Sequence, residues 1–384
     1  YLNYYILHFL YYFHIWFLMI YFPLYAKSLD IPDVNIGLIF TLFNVISLIT
    51  MLPFGILTDY LGSRKIIVVG AIGILLWLAG IAFFDSFLFF LIAYFFGGIG
   101  SVLFLISLNT AFYSALDEQS NTTYITLFYI CATLGFMVGP FTAGILTKYF
   151  EYPQVFKFDI LIILLIFIFI YKSQLPQKVQ FKISDYLQDI KNLKVILFIL
   201  ITAIFYSHYG VEQTSYTLLM KNNIKLTDVQ IGNIFIILGF WIAAVTLIIG
   251  KILKTKYLVL AYAFGLILCG VFQFLTGYSE QFYSFIICRL LHTFGDAVCT
   301  LMLGILVTFV FNKNRLGFSF GFFLMAQLAA SIPFSYISGI LSKKNDYSMP
   351  FYFNGIFIIL LAFVILIFRK KLRLIFGLEK NKTR

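Results

Sequence analysis

The sequence has few charged residues for its length. Only 11% of its 384 residues are charged and 62% are hydrophobic, whereas about a quarter of a typical soluble domain is charged. This scarcity excludes a single soluble globule. A bilayer crossing needs about 20 apolar residues, so the apolar content suffices for about twelve membrane helices. The composition therefore predicts an all-α polytopic membrane protein.

Cysteine is also scarce. The four cysteines, Cys131, Cys269, Cys288 and Cys299, lie in apolar runs without paired spacing. This pattern excludes a disulfide framework and gives no zinc signature, so neither a metal nor a cofactor is expected. The chain opens at Tyr1 rather than at methionine, with no recognisable cleavable signal peptide, and the native N-terminus is expected to be missing.

Apolar runs predict twelve spans. They lie at roughly 4–26, 34–58, 64–84, 87–113, 122–147, 155–171, 195–220, 229–250, 257–277, 281–310, 316–341 and 350–368. Most cationic residues lie in alternate links, including Arg64, Lys65 and a run from Arg369 to Arg384. The net charge of +11 therefore indicates sidedness rather than a nucleic-acid partner. The positive-inside rule predicts a plasma-membrane protein with both termini cytoplasmic.

The longest polar stretch, residues 172–194, divides the spans into six and six. Its helical spacing of apolar and charged residues predicts an amphipathic helix on the inner leaflet, with a solvated linker as the alternative. The predicted domains are an N-terminal bundle at 1–171, this linker, a C-terminal bundle at 195–368 and a basic cytoplasmic tail at 369–384.

The two halves are related by an internal repeat. A single gapless offset of 195 residues aligns Asp33 with Asp228, and the same offset aligns Tyr152 with Tyr347. Glycines follow the same offset, for example Gly100 and Gly295. Six spans per copy give both halves one orientation, which predicts two six-helix pseudo-repeats related by an axis along the membrane normal.

The link between the second and third spans carries a motif. Gly55, Asp59, Gly62, Arg64 and Lys65 have the spacing of a known loop signature. This loop resembles that of the major facilitator superfamily, and the resemblance implies a transporter fold with a site between the halves. Asp59 can lie at a helix N-terminus or pair with Arg64, forming a gating contact that breaks and re-forms. An ordinary positive-inside loop is the alternative.

A looser motif lies in the fifth span. Gly135, Gly139, Pro140 and Gly144 resemble the glycine-proline motif of exporter branches of the superfamily. Small residues four positions apart also permit tight helix packing, and proline bends a helix, so a structural role is the alternative.

Ionisable residues inside spans are costly and indicate function. Span ten carries Arg289, His292 and Asp296 on one stripe, and span seven carries His208 and Glu212 on one face. Glu212 and Asp296 are the only carboxylates assigned a deep position in the spans. We expect Glu212 or Asp296 to exchange a proton and Arg289 or His292 to contact substrate, with a static Glu212–Arg289 salt bridge as the alternative.

The other two histidines, His8 and His14, are assigned to satisfied packing or to interfacial positions rather than to ligation. A metal site built from His292 and Asp296 is not expected, because the sequence does not obviously supply matching ligands.

The resemblance implies a secondary active transporter that moves a small molecule by alternating access. We expect a monomer, with protons and membrane lipids as its other partners. The residues favour proton coupling and efflux of a lipophilic compound. A proton symporter importing a small polar metabolite such as a sugar, and a transport-inactive receptor on the same scaffold, remain open. An enzyme is not expected, since the sequence has neither a His-Glu-x-x-His pattern nor a nucleophile elbow.

Overall fold

The computed structural model describes residues 1–115, 121–173, 192–310, 316–342 and 346–378. Within these ranges, twelve helices are long and apolar enough to cross a membrane, which confirms the predicted fold class. They are α1 (Leu2–Ser28), α2 (Asp33–Leu61), α3 (Ser63–Phe83), α4 (Phe87–Ser114), α5 (Asn121–Leu146), α6 (Tyr152–Lys172), α7 (Leu193–Val211), α8 (Asp228–Ile252), α9 (Leu258–Gly277), α10 (Phe282–Val310), α11 (Leu316–Leu341) and α12 (Met349–Ile375). The predicted amphipathic helix of the linker falls largely on residues 174–191, outside the described residues, and the domain boundaries stay a prediction.

Short links with specific backbone chemistry set the helix ends. Gly62 joins α2 to α3 with a φ of 87°, a conformation that glycine adopts without steric cost. At the start of α8, the Thr227 side chain accepts from the Gln230 amide, and the Gln230 side chain accepts from the Thr227 amide. This capping box satisfies two amides that the helix cannot pair.

The backbone repeats as the sequence does. Asp30 and Lys225, 195 positions apart, both have positive φ, 57° and 62°, in the links before α2 and α8. A Cβ added to Gly70 would lie 2.9 Å from the Gly100 carbonyl oxygen, and one added to Gly265 would lie 3.1 Å from the Gly295 carbonyl oxygen. The α3–α4 and α9–α10 pairs therefore pack through equivalent glycines.

The two halves meet along two helix pairs, α2 with α11 and α5 with α8. Their closest approaches are related by the repeat. A Cβ on Gly37 would lie 2.8 Å from the Ser335 carbonyl oxygen, and a Cβ on Gly232 would lie 2.7 Å from the Pro140 carbonyl oxygen. We call this end of the bundle, which carries Asp33 and Asp228, the aspartate end.

At the opposite end of the bundle, the helices of the two halves lie farther from each other. A Cβ on Gly55, near the end of α2, would meet no atom of the described residues within 4 Å. The hydrogen bonds of Asn3 and Arg64 at this end stay within the N-terminal half, to the Lys172 and Tyr171 carbonyls. The described contacts between the halves are thus concentrated at the aspartate end.

The last helix is longer than the sequence suggested. The twelfth span was expected to end near residue 368, but α12 continues to Ile375 through Arg369 and Arg373. Lysine, arginine and leucine are good helix formers, and long cationic side chains can reach water from a helix end. The start of the basic tail is therefore helical.

We predict that Gly295→Val destabilises the protein, because a Cβ there would lie 2.6 Å from the Gly265 carbonyl oxygen. Overpacking of this kind costs about 1–3 kcal/mol. Gly304→Val, in the same helix, is the matched control, since its Cβ would meet no described atom within 4 Å. Thermal unfolding of the purified proteins in detergent should show a lower unfolding temperature for Gly295→Val alone; equal temperatures would contradict the packing account.

Candidate functional site

The structure brings together all five ionisable residues singled out in the seventh and tenth spans. Arg289 Nη2 lies 2.7 Å from Glu212 Oε1, and His292 Nε2 lies 3.3 Å from the same oxygen. His208 Nε2 lies 3.4 Å from Asp296 Oδ1. Both histidine side chains are fully buried, and the two carboxylates are 12–15% exposed. We call these five residues the charged cluster.

The shape of α7 helps to place Glu212. The α-helix ends at Val211 and the chain continues as a π-helical turn over Glu212–Tyr216, with a second over Leu219–Asn223. Such turns are rare in helices, but those that occur are often at functional sites. They redirect side chains within a continuous helix. Here Glu212 is the first residue of the turn and contacts α10 across the helix interface.

Two residues that the sequence did not single out hold Arg289. Its Nη1 donates to Gln273 Oε1 of α9 at 3.1 Å, and its guanidinium carbon lies 4.3 Å from the centre of the Tyr216 ring. Gln273 is a buried amide inside an apolar span, a signal that could have been noticed. The Tyr216 contact depends on the π turn and had no such signal. Arg289 is thus fixed by an anion, an amide and an aromatic face.

Hydrogen bonds fix both histidine rings. Nδ1 of His208 lies 2.5 Å from the Phe205 carbonyl oxygen, and Nδ1 of His292 lies 3.0 Å from the Cys269 carbonyl oxygen. A carbonyl only accepts, so Nδ1 is the protonated nitrogen and donates. In the neutral ring the Nε2 lone pair then faces the carboxylates. The Cys269 thiol, also not anticipated, donates to Asp296 Oδ1 at 3.2 Å.

The charged cluster is next to a contact between the halves. Asn44 of α2 donates to the Gln213 side chain at 3.0 Å, and Gln213 is the chain neighbour of Glu212. The same amide lies 3.4 Å from the Ser335 hydroxyl oxygen of α11. A change in the position of Glu212 can therefore reach the other half through adjacent backbone and Asn44.

A third deep carboxylate corrects the prediction that only two carboxylates lie deep in the spans. Asp159 of α6 is fully buried, and its Oδ2 lies 2.5 Å from His14 Nδ1 of α1. Glu212 and Asp296 are therefore not the only carboxylates deep in the spans. Asp159 lies only two residues from Lys157 near the start of its span, but the fold covers it completely. His8 packs as expected, stacked on Phe128 with a ring separation of 3.6 Å.

Repeat-related hydrogen bonds close the aspartate end. The Tyr152 hydroxyl donates to Asp228 Oδ2 at 2.7 Å, and the Tyr347 hydroxyl donates to Asp33 Oδ1 at 3.1 Å. Each bond crosses between the halves. Each aspartate also pairs with a lysine of its own half, Asp33 with Lys27 and Asp228 with Lys221. Burial and the nearby Asp33 carboxylate raise the pKa of Tyr347, which keeps its hydroxyl protonated as a donor.

The loop signature lies at the opposite end. Gly62 forms its turn, and Arg64 and Lys65 are exposed. Arg64 Nη2 donates to the Tyr171 carbonyl at 3.3 Å. The Asp59 side chain is outside the described residues, so its pairing with Arg64 stays a prediction.

The glycine-proline motif packs α5 against two helices. A Cβ on Gly139 would lie 2.5 Å from the Phe13 carbonyl oxygen of α1, and one on Gly144 would lie 2.6 Å from the Asp228 carbonyl oxygen of α8. Gly135 also meets the backbone of α1. The Tyr21 hydroxyl lies within hydrogen-bond distance of the carbonyl oxygens of both Pro140 and Asp228. These contacts account for the small residues by packing.

We predict that Tyr152→Phe loosens the α5–α8 side of the aspartate end and that Tyr347→Phe loosens the α2–α11 side. A hydrogen bond to a charged group contributes about 1.5–3 kcal/mol, so exchange of nearby amides should accelerate about tenfold or more. Hydrogen exchange read by mass spectrometry checks this. Tyr149→Phe is the control because Tyr149 is 73% exposed. Unchanged exchange in both Tyr152→Phe and Tyr347→Phe would rule out a closing role for these bonds.

Comparison with known proteins agrees with this architecture. The model of the Major Facilitator Superfamily matches residues 4–272 and 200–374. The uncharacterized MFS-type transporter MJ1560 of Methanocaldococcus jannaschii is 31% identical over 136 residues, which span 35% of each chain. The match thus covers about a third of that relative's length.

Solved structures show the same fold. A POT family transporter in complex with a thioalcohol conjugated peptide superposes with a TM-score of 0.79 at 13% identity, covering 96% of each chain. The nucleoside transporter NupG superposes with a TM-score of 0.76 at 14% identity, covering 96% of this chain and 98% of its own. The human organic anion transporter MFSD10 superposes with a TM-score of 0.67 at 17% identity, covering 94% of this chain and 98% of its own. The family prediction made from the loop signature and the repeat is confirmed: the chain belongs to the major facilitator superfamily.

Proposed function

We propose that the protein is a secondary active transporter that moves a small polar or charged solute by alternating access and couples this movement to protons. The observation that carries the proposal is the charged cluster. Five ionisable side chains lie together between α7 and α10, inside helices that cross the membrane. Groups of this kind are costly in hydrocarbon, and they mark ion pathways and proton relays in membrane proteins.

Charge balance indicates how coupling works. Glu212 and Arg289 compensate each other at 2.7 Å. Asp296 faces the Nε2 atoms of His208 and His292, which are neutral when only Nδ1 carries a proton. The cluster then has one uncompensated negative charge. One proton or one cationic solute restores neutrality, so its arrival and departure change the free energy of keeping the cluster closed.

The interface between the halves supports alternating access. The repeat places equivalent glycines and equivalent tyrosine-aspartate bonds at the aspartate end. We infer that this is the outer face, since the opposite end carries the basic loops expected in the cytoplasm. The closed aspartate end then corresponds to a state that is sealed on the outside. Breaking both tyrosine-aspartate bonds allows the halves to rock to the other state.

The structure bears on the class of solute and on direction. A cluster with five ionisable groups favours a small polar or charged solute over a lipophilic compound. The expectation of efflux rested on the glycine-proline motif, whose small residues pack α5 against α1 and α8. The proposal therefore covers transport in both directions, and flux in oriented vesicles distinguishes them.

We predict that Glu212→Gln abolishes proton-driven accumulation but spares solute counterflow, because the Arg289 charge then balances Asp296 and the cluster is neutral without a proton. Proteoliposomes with an imposed pH gradient, tested with sugars, amino acids, nucleosides, organic cations and divalent metal ions, provide the assay. Glu280→Gln is the matched control, since Glu280 is exposed near the aspartate end. Asp296→Asn serves as a second variant if Glu212→Gln does not fold.

An unchanged pH dependence of transport in both cluster variants would contradict proton coupling at this site. Absence of flux for every solute in wild-type vesicles would instead favour a receptor on the same scaffold.

A further inference from the structure

Three donor atoms lie within 3.5 Å of the Asp296 carboxylate, which makes a set of four that the proton alone does not require. The four are Nε2 of His208, Nε2 of His292, a carboxylate oxygen of Asp296 and Sγ of Cys269. They come from three helices, α7, α9 and α10. We propose that they bind a divalent transition-metal ion of the zinc class, and that this ion is the transported solute. The proposal rests on the proposed function and names its substrate class.

The separations between donors fit such an ion. Zinc binds nitrogen and oxygen at about 2.0–2.2 Å and thiolate sulfur at about 2.3 Å, so tetrahedral donors lie about 3.3–3.8 Å apart. Asp296 Oδ1 lies 3.4 Å from His208 Nε2 and 3.2 Å from Cys269 Sγ. Asp296 Oδ2 lies 3.5 Å from His292 Nε2. The two histidine nitrogens and the sulfur thus each lie near the separation from the Asp296 carboxylate that a shared ion imposes.

The histidine rings are oriented as metal ligands are. Each ring donates its Nδ1 proton to a backbone carbonyl, of Phe205 or Cys269, which leaves Nε2 as the free lone pair. A ligating histidine usually donates its other ring nitrogen in this way, which fixes both tautomer and orientation. Both Nε2 atoms are buried and have no hydrogen-bond partner within the described part of the chain. Each Nε2 lone pair faces carboxylate oxygens, which are also acceptors, and no donor group lies between them in the described part of the chain.

The type of donor selects the class of ion. Imidazole and thiolate suit zinc and its neighbours, whereas magnesium and calcium prefer oxygen ligands only. Arg289 compensates Glu212, so Asp296 and a deprotonated Cys269 supply the two negative charges that balance a divalent ion. Forming the metal-sulfur bond releases the thiol proton to solvent. The bound site is then electrically neutral inside the bundle.

The fold supplies what the sequence did not reveal. His292 and Asp296 were expected to lack matching ligands. The folded chain adds His208 from α7 and Cys269 from α9, which precede them by 84 and 27 positions in the sequence. A spacing search for metal motifs examines neighbours along the chain, and the second pair of ligands comes from other helices.

Cobalt(II) tests the site directly, because its visible absorption reports tetrahedral coordination and its near-ultraviolet band reports a bond to sulfur. The full chain, purified in lipid nanodiscs, should bind one Co²⁺ per chain, and Zn²⁺ should displace it. Cys269→Ser should remove the sulfur band and retain visible absorption. His292→Gln should weaken Co²⁺ binding by at least about tenfold. Cys288→Ser is the matched control, since Cys288 lies on α10 outside the donor set.

Folding of each variant is checked by circular dichroism and size-exclusion chromatography, and His208→Gln replaces any variant that fails. Absence of stoichiometric Co²⁺ binding by the wild type overturns the proposal, as does binding that is equally tight in folded His292→Gln and His208→Gln. Proton-driven flux of another solute without Co²⁺ binding overturns the metal site and leaves the proposed function intact. Tight Co²⁺ binding without any Zn²⁺ flux in proteoliposomes keeps the site but refutes transport of the ion.

Discussion

The low dielectric of a membrane-spanning bundle is the constraint that the rest of the structure depends on. Charge buried there must be compensated locally. Glu212 and Arg289 satisfy this requirement with a contact of 2.7 Å, supported by Gln273 and the Tyr216 ring. Among the described residues, no lysine or arginine forms an equivalent pair with Asp296. Its partners are two imidazoles and a thiol, each of which can change its proton or bind an ion. The proposed response to cations depends on the same constraint that makes this cluster costly.

The internal repeat explains how a response at one site can move the whole molecule. The halves touch through equivalent pairs, Gly37 on Ser335 and Gly232 on Pro140, and through equivalent tyrosine-aspartate bonds. Two similar interfaces of this kind can open together by a rotation of one half against the other. The charged cluster belongs to the C-terminal half, and Asn44 reaches from the N-terminal half to the neighbour of Glu212. The Asn44 contact thus connects the charged cluster to the interface between the halves.

Much of the fold and part of the charged cluster could be predicted from the sequence. Membrane spans follow from apolar length, and the repeat from a constant offset, so twelve helices in two copies were predictable. Helical periodicity placed Arg289, His292 and Asp296 on one stripe. Periodicity does not say which helices are neighbours, so Cys269 and Gln273 of α9 were missed. Asp159 was missed because its depth depends on how α1 and α3 cover α6. The continuation of α12 past residue 368 followed helix propensity rather than hydropathy.

In the proposed function, the two ends of the bundle open in alternation under control of the charged cluster. Distances between spin labels test it directly, with Cys131 and Cys288 replaced by serine. One pair of labels at Tyr149 and Tyr283 spans the aspartate end, and one at Tyr171 and Ile252 spans the opposite end, all at exposed positions. On transfer from alkaline to acidic buffer, one distance should lengthen as the other shortens, and Glu212→Gln should suppress the change. Distances that stay constant, or that change in the same sense at both ends, would contradict the account.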